Sequence, residues 1–282
     1  MNNLLTLINI GLACHDGDWN WQYVRSPFAR IYYVTEGTAQ VLLPDTTLNL
    51  LPGRLYLIPP FTTHHYSCTG HFAHYYIHLY EEISLGEEEL FNRYEMTHEA
   101  SAMPTDLALI ERLASLLPHL KLQASDPETY DNKATLMESL RKSHHRQLYE
   151  RTEIQGILLV LLSRFLYKVH EKQPTKDSRI IRAMRFISRN NDIHISLDKL
   201  AAEACLSKDH FIRLFHQEVG ETPANYIIRR KLEQAELWLV TTDKPIKNIA
   251  AALGYDDTSY FIRLFRQRIG MSPQQYRETD KR

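Results

Sequence analysis

The sequence predicts an α+β protein of two domains, a β-rich amino-terminal one and an all-helical carboxy-terminal one. Three observations carry this. The chain has 282 residues, more than one hydrophobic core comfortably serves. Its apolar pattern changes from strand-like alternation to helical spacing near Pro104. And one helix is spelt twice with its exit, as "HFIRLFHQEVGETPANYI" (His210–Ile227) and "YFIRLFRQRIGMSPQQYR" (Tyr260–Arg277).

With 44% apolar and 24% charged residues the composition is that of an ordinary soluble globular chain, which excludes disordered and fibrous classes. Cys14, Cys68 and Cys205 are too few and too scattered for a disulfide framework or a zinc finger, and they suit a reducing cytoplasm. The opening "MNNLLTLINIGLAC" ends an apolar run in Ala-Cys, as a lipoprotein signal does. No Lys or Arg precedes Arg25 and the run is short, so it reads as a first strand. "IQGILLVLLSRFLYKV" (Ile154–Val169) is interrupted by Gln155, Ser163, Arg164 and Lys168. It reads as a buried or interface helix rather than a bilayer span, so no membrane partner is expected. Charge is uneven: 18 Lys/Arg stand against 13 Asp/Glu from Ser178 onward, and 15 against 21 before it. A mildly basic module on an acidic one permits a polyanion partner for the carboxy-terminal part.

Residues 1–100 form the first expected domain. "ARIYYVTEGTAQVLLP" and "GRLYLIPP" are rich in β-branched and aromatic residues and punctuated by Gly37, Pro44, Pro52-Gly53 and Pro59-Pro60. From His74 the segment "HFAHYYIHLY" alternates, with His74, Tyr76, His78 and Tyr80 on one face and Tyr75, Ile77 and Leu79 on the other. Short strands with frequent turns predict a small sandwich or barrel. Trp19 and Trp21 are placed on one strand face, as core. In residues 101–173 the period is helical, through Leu107, Ile110, Leu113 and Leu117 and again through Ile154, Leu158, Leu161 and Phe165. "HEKQPTKDS" (His170–Ser178) is the expected linker, and residues 178–282 the last domain.

In the first copy of the doubled stretch, Phe211, Leu214, Phe215 and Val219 make one apolar stripe, Gly220 stops the helix and Pro223 opens the next. Phe261, Leu264, Phe265, Ile269, Gly270 and Pro273 repeat the pattern, and nine of the sixteen positions from Phe211 to Tyr226 are identical fifty residues on. Upstream of each copy lies a short helix. "SLDKLAAEACLS" has Ser196 as N-cap, and "KPIKNIAAALGY" has Pro245 at a helix start. Ala201 and Ala250 are small where two helices cross. Short helix, tight turn and aromatic-striped helix is the helix-turn-helix pattern. Two repeats are too few for a solenoid, which buries its core only with three or more. The joining helix, roughly Pro223–Thr241, is about 27 Å long at about 1.5 Å per residue. That is close to the roughly 34 Å between successive major grooves on one face of DNA.

The segments "LAAEACLS…HFIRLFHQEVGETPANYI" and "IAAALGYDDTSYFIRLFRQRIGMSPQQYR" resemble the AraC/XylS family of bacterial transcription regulators. The resemblance implies a seven-helix module whose two recognition helices enter adjacent major grooves of double-stranded DNA. Opposite the apolar stripe, the first such helix holds Asp209, Arg213 and His216 and the second Ser259, Arg263 and Arg266; the family adds Ile212 and Tyr260 on the flank. Arg forks onto guanine, and Ile or Tyr touches a thymine methyl. Arg213 and Arg263 occupy one slot in both copies, which leaves base reading and phosphate holding open for each. Asp209 differs from Ser259, so site choice is expected there. Arg229, Arg230 and Lys231 are further phosphate candidates, or a solvated face.

"HHYSCTGHFAHYYIH" sets His64, His65, His71, His74 and His78 within fifteen residues and invites a metal. "PGRLYLIPPFTTHHY" resembles the second motif of the cupin barrel, with His64 near a metal ligand's place. In the partner strand "FARIYYVTEG", however, Arg30 stands where a Glu is expected, and Tyr23–Ser26 contains no histidine. A lone imidazole cannot make a three-ligand open site. No phosphate loop, nucleophile elbow or HExxH occurs either, so neither catalytic residue nor cofactor is assigned. The resemblance implies a metal-free cupin-like barrel that binds a small effector, such as a sugar or small acid. Arg30, Tyr32, His64, Tyr66, Tyr76 and His78 are the candidate contacts, as stacking rings and fixed donors. The apolar face of Ile154–Phe165 suggests a homodimer, and RNA polymerase is a further partner if the protein activates. The alternatives are a ligand-independent regulator whose barrel only dimerises, and a cupin metalloenzyme carrying a DNA module.

Overall fold

The computed structural model describes residues 4–82, 90–94, 96–131, 136, 138–139, 141–142, 146–166, 177–190 and 195–278. It divides into an amino-terminal unit reaching to His170 and a carboxy-terminal unit from Glu171 onward. Of the expected linker, all but Asp177 and Ser178 lies outside the described residues.

In the first unit, strands β1 (Leu4–Asp16), β2 (Ala29–Gly37), β5 (Arg54–Ile58), β7 (His71–Glu82) and β8 (Glu99–Ser101) form an antiparallel sheet in the order β1-β7-β2-β5-β8. Strands β3 (Ala39–Leu42), β4 (Thr47–Leu50) and β6 (His65–Ser67) form a second, in the order β4-β3-β6. The chain passes from one sheet to the other at Gly37, where only glycine fits: its φ is 68° and a Cβ there would lie 1.8 Å from the His71 carbonyl oxygen. Trp19 and Trp21 lie in a loop, not on a strand as the sequence suggested.

Both faces of the five-stranded sheet are buried, because its strands alternate between two cores. Ile31, Leu55, Leu57, Ile77 and Leu79 face a helical layer. Tyr32, Val34, Tyr56, Ile58 and Tyr76 face inward, against Val41, Leu48, Leu50 and Tyr66 of the smaller sheet. The helical layer comprises α1 (Leu90–Arg93), α2 (Asp106–Leu116) and α4 (Leu148–Leu166); a short α3 (Pro127–Tyr130) lies between the last two in sequence. Ile154, Leu158, Leu161 and Phe165 of α4 are fully or almost fully buried in this layer's core. Burial of such side chains contributes about 1.5–3 kcal/mol each. The apolar face that suggested a dimer is therefore already covered by the chain's own sheet. Asp106, wholly buried, locks α2 to α4 by accepting forked bonds from the Arg164 guanidinium at 2.9–3.2 Å.

Seven helices make up the described part of the second unit: α5 (Ser178–Arg189), α6 (Leu197–Glu203), α7 (Lys208–Val219), α8 (Pro223–Thr241), α9 (Ile246–Ala252), α10 (Thr258–Ile269) and α11 (Pro273–Glu278). Ser196 caps α6, its hydroxyl accepting from the Lys199 amide, and Gly220 and Gly270 end α7 and α10 in left-handed conformation. Two cores share α8. Tyr226 and Ile227 belong to one with Phe211 and Phe215. Leu232, Ala235 and Leu239 belong to the other with Phe261 and Phe265.

The two tight turns use the same device. After α6, Cys205 takes φ 54° and Leu206 donates its amide to the Ala201 carbonyl. After α9, Gly254 takes φ 73° and Tyr255 donates to the Ala250 carbonyl. A Cβ in this left-handed conformation costs about 1–2 kcal/mol. Gly254→Ala is thus expected to destabilise the carboxy-terminal unit by about 1 kcal/mol, seen as a lower urea midpoint with unchanged slope. Cys205→Gly should be neutral or mildly stabilising in the same measurement.

Candidate nucleic-acid interface and effector chamber

Helices α7 and α10 each turn aromatic residues inward and polar residues outward. Phe211 and Phe215 are buried on α7, as are Phe261, Leu264 and Phe265 on α10. On the open side of α7, Asp209, Arg213 and His216 are exposed and Ile212 is half-buried; on α10, Ser259, Tyr260, Arg263 and Arg266 are exposed. Tyr260 keeps 48% of its surface accessible. Among the described residues Arg213, Arg263 and Arg266 have no ion-pair partner, so their guanidinium groups are available to an external anion or base edge. The first turn of α10 is fixed by Asp257, whose carboxylate accepts the Ser259 amide at 2.7 Å.

The charged run on α8 is used differently. Arg229 donates to Glu221 at 2.8 and 3.0 Å and to Glu233 at 2.8 Å, and lies over the Tyr226 ring. Arg230 donates to Glu233 at 2.9 Å. Lys231 is 4% exposed and donates from Nζ to the Leu253 carbonyl at 2.5 Å. Buried in this way, Lys231 is not placed to hold phosphate; it ties α8 to the turn of the second helix-turn-helix unit.

In the amino-terminal unit, Arg30, Tyr32, His64, Tyr66, Tyr76 and His78 are all at most 5% exposed. Arg30, Tyr32, Tyr76 and His78 come from β2 and β7, which pair with Arg30 opposite His78 and Tyr32 opposite Tyr76. Tyr66 is on β6 and His64 just before it, joined to Val24 by an isolated bridge. The hydrogen-bond directions follow from what each atom can do. The Thr62 carbonyl can only accept, so His64 Nδ1 donates to it at 2.8 Å and Nε2 accepts from the Tyr66 hydroxyl at 2.8 Å. The Tyr66 oxygen then accepts from Tyr32 at 2.6 Å. Tyr76 is committed elsewhere, its hydroxyl accepting the Leu122 amide at 2.8 Å. Trp19, 3% exposed, stacks on Tyr66 at 4.1 Å between ring centroids.

Arg30's partner could not be read from spacing or pattern. Asp131, which follows α3, accepts from Arg30 Nη2 at 2.5 Å and from the Ser26 hydroxyl. Phe28 lies 4.8 Å from the guanidinium, and the Tyr130 ring is 6.0 Å from it and stacked on His78 at 5.1 Å. Burial works against the Arg30 charge, but the facing Asp131 carboxylate together with the surrounding Tyr66, Tyr130 and Tyr32 more than offsets it, and the guanidinium is held firmly protonated. Tyr130 and Asp131 escaped sequence reading because no spacing rule links a strand to a segment a hundred residues away; Ser26 and Phe28, just before Arg30, gave no signal apart from that pairing. His74 was visible in the β7 alternation; it is 2% exposed and stacks on His15 at 5.6 Å. Among the described residues, no group of three or more His, Cys, Asp and Glu side chains is arranged to hold a metal ion.

A buried polar interior between two sheets (the chamber), and a pair of helix-turn-helix units strung on one helix, fit a two-domain DNA-binding regulator with a ligand-binding module. The family model for the AraC-like ligand binding domain matches residues 9–140, and that for a helix-turn-helix domain matches residues 200–279. The chain belongs to the AraC/XylS family of transcription regulators. It is similar to the probable transcriptional regulator LumQ of Photobacterium leiognathi, at 23% identity over 84% of this chain and 84% of that protein. It is 33% identical to the arabinose operon regulatory protein of Salmonella typhimurium over 37% of this chain and 38% of that one. ToxT from Vibrio cholerae is 11% identical, covering 97% of this chain and 98% of that chain with a TM-score of 0.48.

Burial, with the neighbouring Arg30 charge, holds His64 down at about 3 and His78 well below its ordinary value. Burial, with His15, does the same to His74, at about 3. These groups are neutral in the fold but take a proton near pH 6.5 once unfolded. Stability is therefore present above pH 6.5 and lost as pH falls toward the folded values. Between pH 6 and pH 5 the loss approaches about 1.4 kcal/mol per pH unit per histidine. Urea unfolding across this range should show the slope, and a His74→Gln variant should flatten it by about one histidine's share.

Proposed function

We propose that the protein is a cytoplasmic regulator, without catalytic activity of its own, that binds a small effector in the chamber and reads DNA with α7 and α10. The carrying observation is the shared helix α8, which sets two recognition helices at a fixed separation with unpaired arginines outward. In this reading Asp209, Ile212, Arg213 and His216 face one major groove and Ser259, Tyr260, Arg263 and Arg266 the next. Arg30, Tyr32, His64, Tyr66, Tyr76 and His78 surround the effector, and the relatives named for an arabinose operon favour control of a small-molecule utilisation operon. Effector binding acts by preferring one arrangement of the chain over another. Homodimerisation, if it uses α4, does so through the side carrying Leu148, Tyr149 and Val160, which are 77%, 68% and 38% exposed. Paired half-sites would follow from the two-fold symmetry of such a dimer, and an activator would also contact RNA polymerase.

Footprinting on DNA upstream of its own and neighbouring operons tests the reading; protection of no fragment over bulk competitor would sink it. Arg263→Ala is expected to weaken specific binding by about 1–3 kcal/mol. Arg229→Ala, whose side chain is already held by Glu221 and Glu233, should change specific affinity far less. Equal weakening on every sequence, with a shallower salt dependence, would assign Arg263 to phosphate instead.

A further inference from the structure

The ion pair inside the chamber is incompletely made. Arg30 is 1% exposed and its guanidinium bonds Asp131 through one nitrogen, Nη2. Its Nε is buried without a partner, and so is the second carboxylate oxygen of Asp131. Guanidinium and carboxylate match best as a two-pronged fork, Nε and one Nη onto both oxygens. Here the fork is not closed, leaving two buried polar atoms unsatisfied, which is costly. The carboxylate also belongs to neither sheet: it follows the four-residue α3. Its neighbour Tyr130 lays a flat ring on His78 beside the guanidinium. Together Tyr130 and Asp131 present a planar ring and an acid group to Arg30, inside a wall of Tyr32, Tyr66 and His64.

From this we infer that the effector is a small carboxylic acid with a flat ring, whose carboxylate forks onto Arg30 in place of Asp131 and whose ring takes the place of Tyr130. Asp131 is then an internal competitor that fills the site when effector is absent. A free acid completes the fork that the tethered one cannot, because it is not held by the chain. A neutral sugar that displaced Asp131 would leave the Arg30 charge without a counter-ion, which the interior tolerates poorly. Displacement of Asp131 also releases its bond to Ser26 and the stacking of Tyr130, so occupancy is reported to the segment around α3. The inference rests on the effector reading above and names its ligand class.

The test uses the full chain, with benzoate as probe, its neutral counterpart benzamide, and L-arabinose. Asp131→Ala removes the competitor and orphans Arg30, so its melting temperature should fall, and benzoate should restore it where benzamide does not. By calorimetry benzoate should bind Asp131→Ala about tenfold tighter than it binds wild type, the worth of one charge-assisted hydrogen bond no longer contested. Should Asp131→Ala not fold, Asp131→Asn keeps the shape without the charge and is expected to show the same preference. Arg30→Gln should abolish the response. Equal stabilisation of wild type, the Asp131 variant and Arg30→Gln by benzoate, or no response in either Asp131 variant, overturns the inference. Stabilisation of wild type by L-arabinose alone would also overturn it while leaving the effector reading intact. Rescue by benzoate with no effect on DNA protection would instead keep the anion site and remove its effector role.

Discussion

The carboxy-terminal unit depends on one constraint: helix α8 is a member of two hydrophobic cores at once. Its first turns give Tyr226 and Ile227 to the core of Phe211 and Phe215, and its later turns give Leu232, Ala235 and Leu239 to that of Phe261 and Phe265. Neither helix-turn-helix unit can rotate about α8 without opening its own core. Lys231 strengthens the second attachment by donating to the carbonyl of Leu253, and buried Glu236 accepts from the Tyr276 hydroxyl at 3.0 Å. These polar ties are directional where aromatic packing is not. The distance between the two exposed faces is consequently a property of helix geometry, about 1.5 Å per residue, rather than of flexible linkage.

The amino-terminal unit is organised by a different constraint, a sheet whose central strands are buried on both faces. Antiparallel sheets commonly leave one side to water, and the alternation along β7 invites that expectation. Here both alternating sets are buried, Ile77 and Leu79 against helices, Tyr76 in the core shared with the smaller sheet and His78 against Phe28 and Tyr130. The inner set is polar and aromatic, so its hydrogen bonds must be made within the unit; the run from Tyr32 through Tyr66 and His64 to Thr62 closes, whereas Arg30 Nε and His74 Nδ1 are buried without a partner. A charge placed there requires a counter-charge, and Asp131 supplies it.

How much of this was legible in the sequence depended on the range of the interaction. The helix-turn-helix units could be read because their signals are local: a stripe at helical spacing, a glycine stop, a proline start, and the same words repeated fifty residues on. The face of each recognition helix followed from that stripe alone. Strands β1, β2, β3, β5 and β7 and the alternation along β7 were readable for the same reason, period two being a local property, whereas the short β4, β6 and β8 were not. What could not be read were pairings made by the fold. Asp131 with Arg30, Asp106 with Arg164 and Arg229 with Glu221 leave no mark of spacing that distinguishes them from surface charge. Trp19 was rightly core, but its loop setting was missed because two tryptophans at a two-residue step imitate a strand.

The helix α4 shows why an apolar surplus misleads when the sheet's second face is not counted. Ile154, Leu158, Leu161 and Phe165 exceed what a lone surface helix needs, and an unseen partner is the natural inference. The structure supplies the partner from within, since the outer face of the five-stranded sheet needs cover of that size. This has a consequence for signalling within the unit. On β2, Arg30 points into the chamber and Ile31, the next residue, packs in the core that α4 shares. Adjacent residues of a strand lie on opposite faces and cannot move independently. A shift of β2 that re-aims Arg30 therefore displaces Ile31 in a close-packed interior, which transmits strain instead of absorbing it. The polar interior and the helical layer are in this sense coupled through the two faces of one strand.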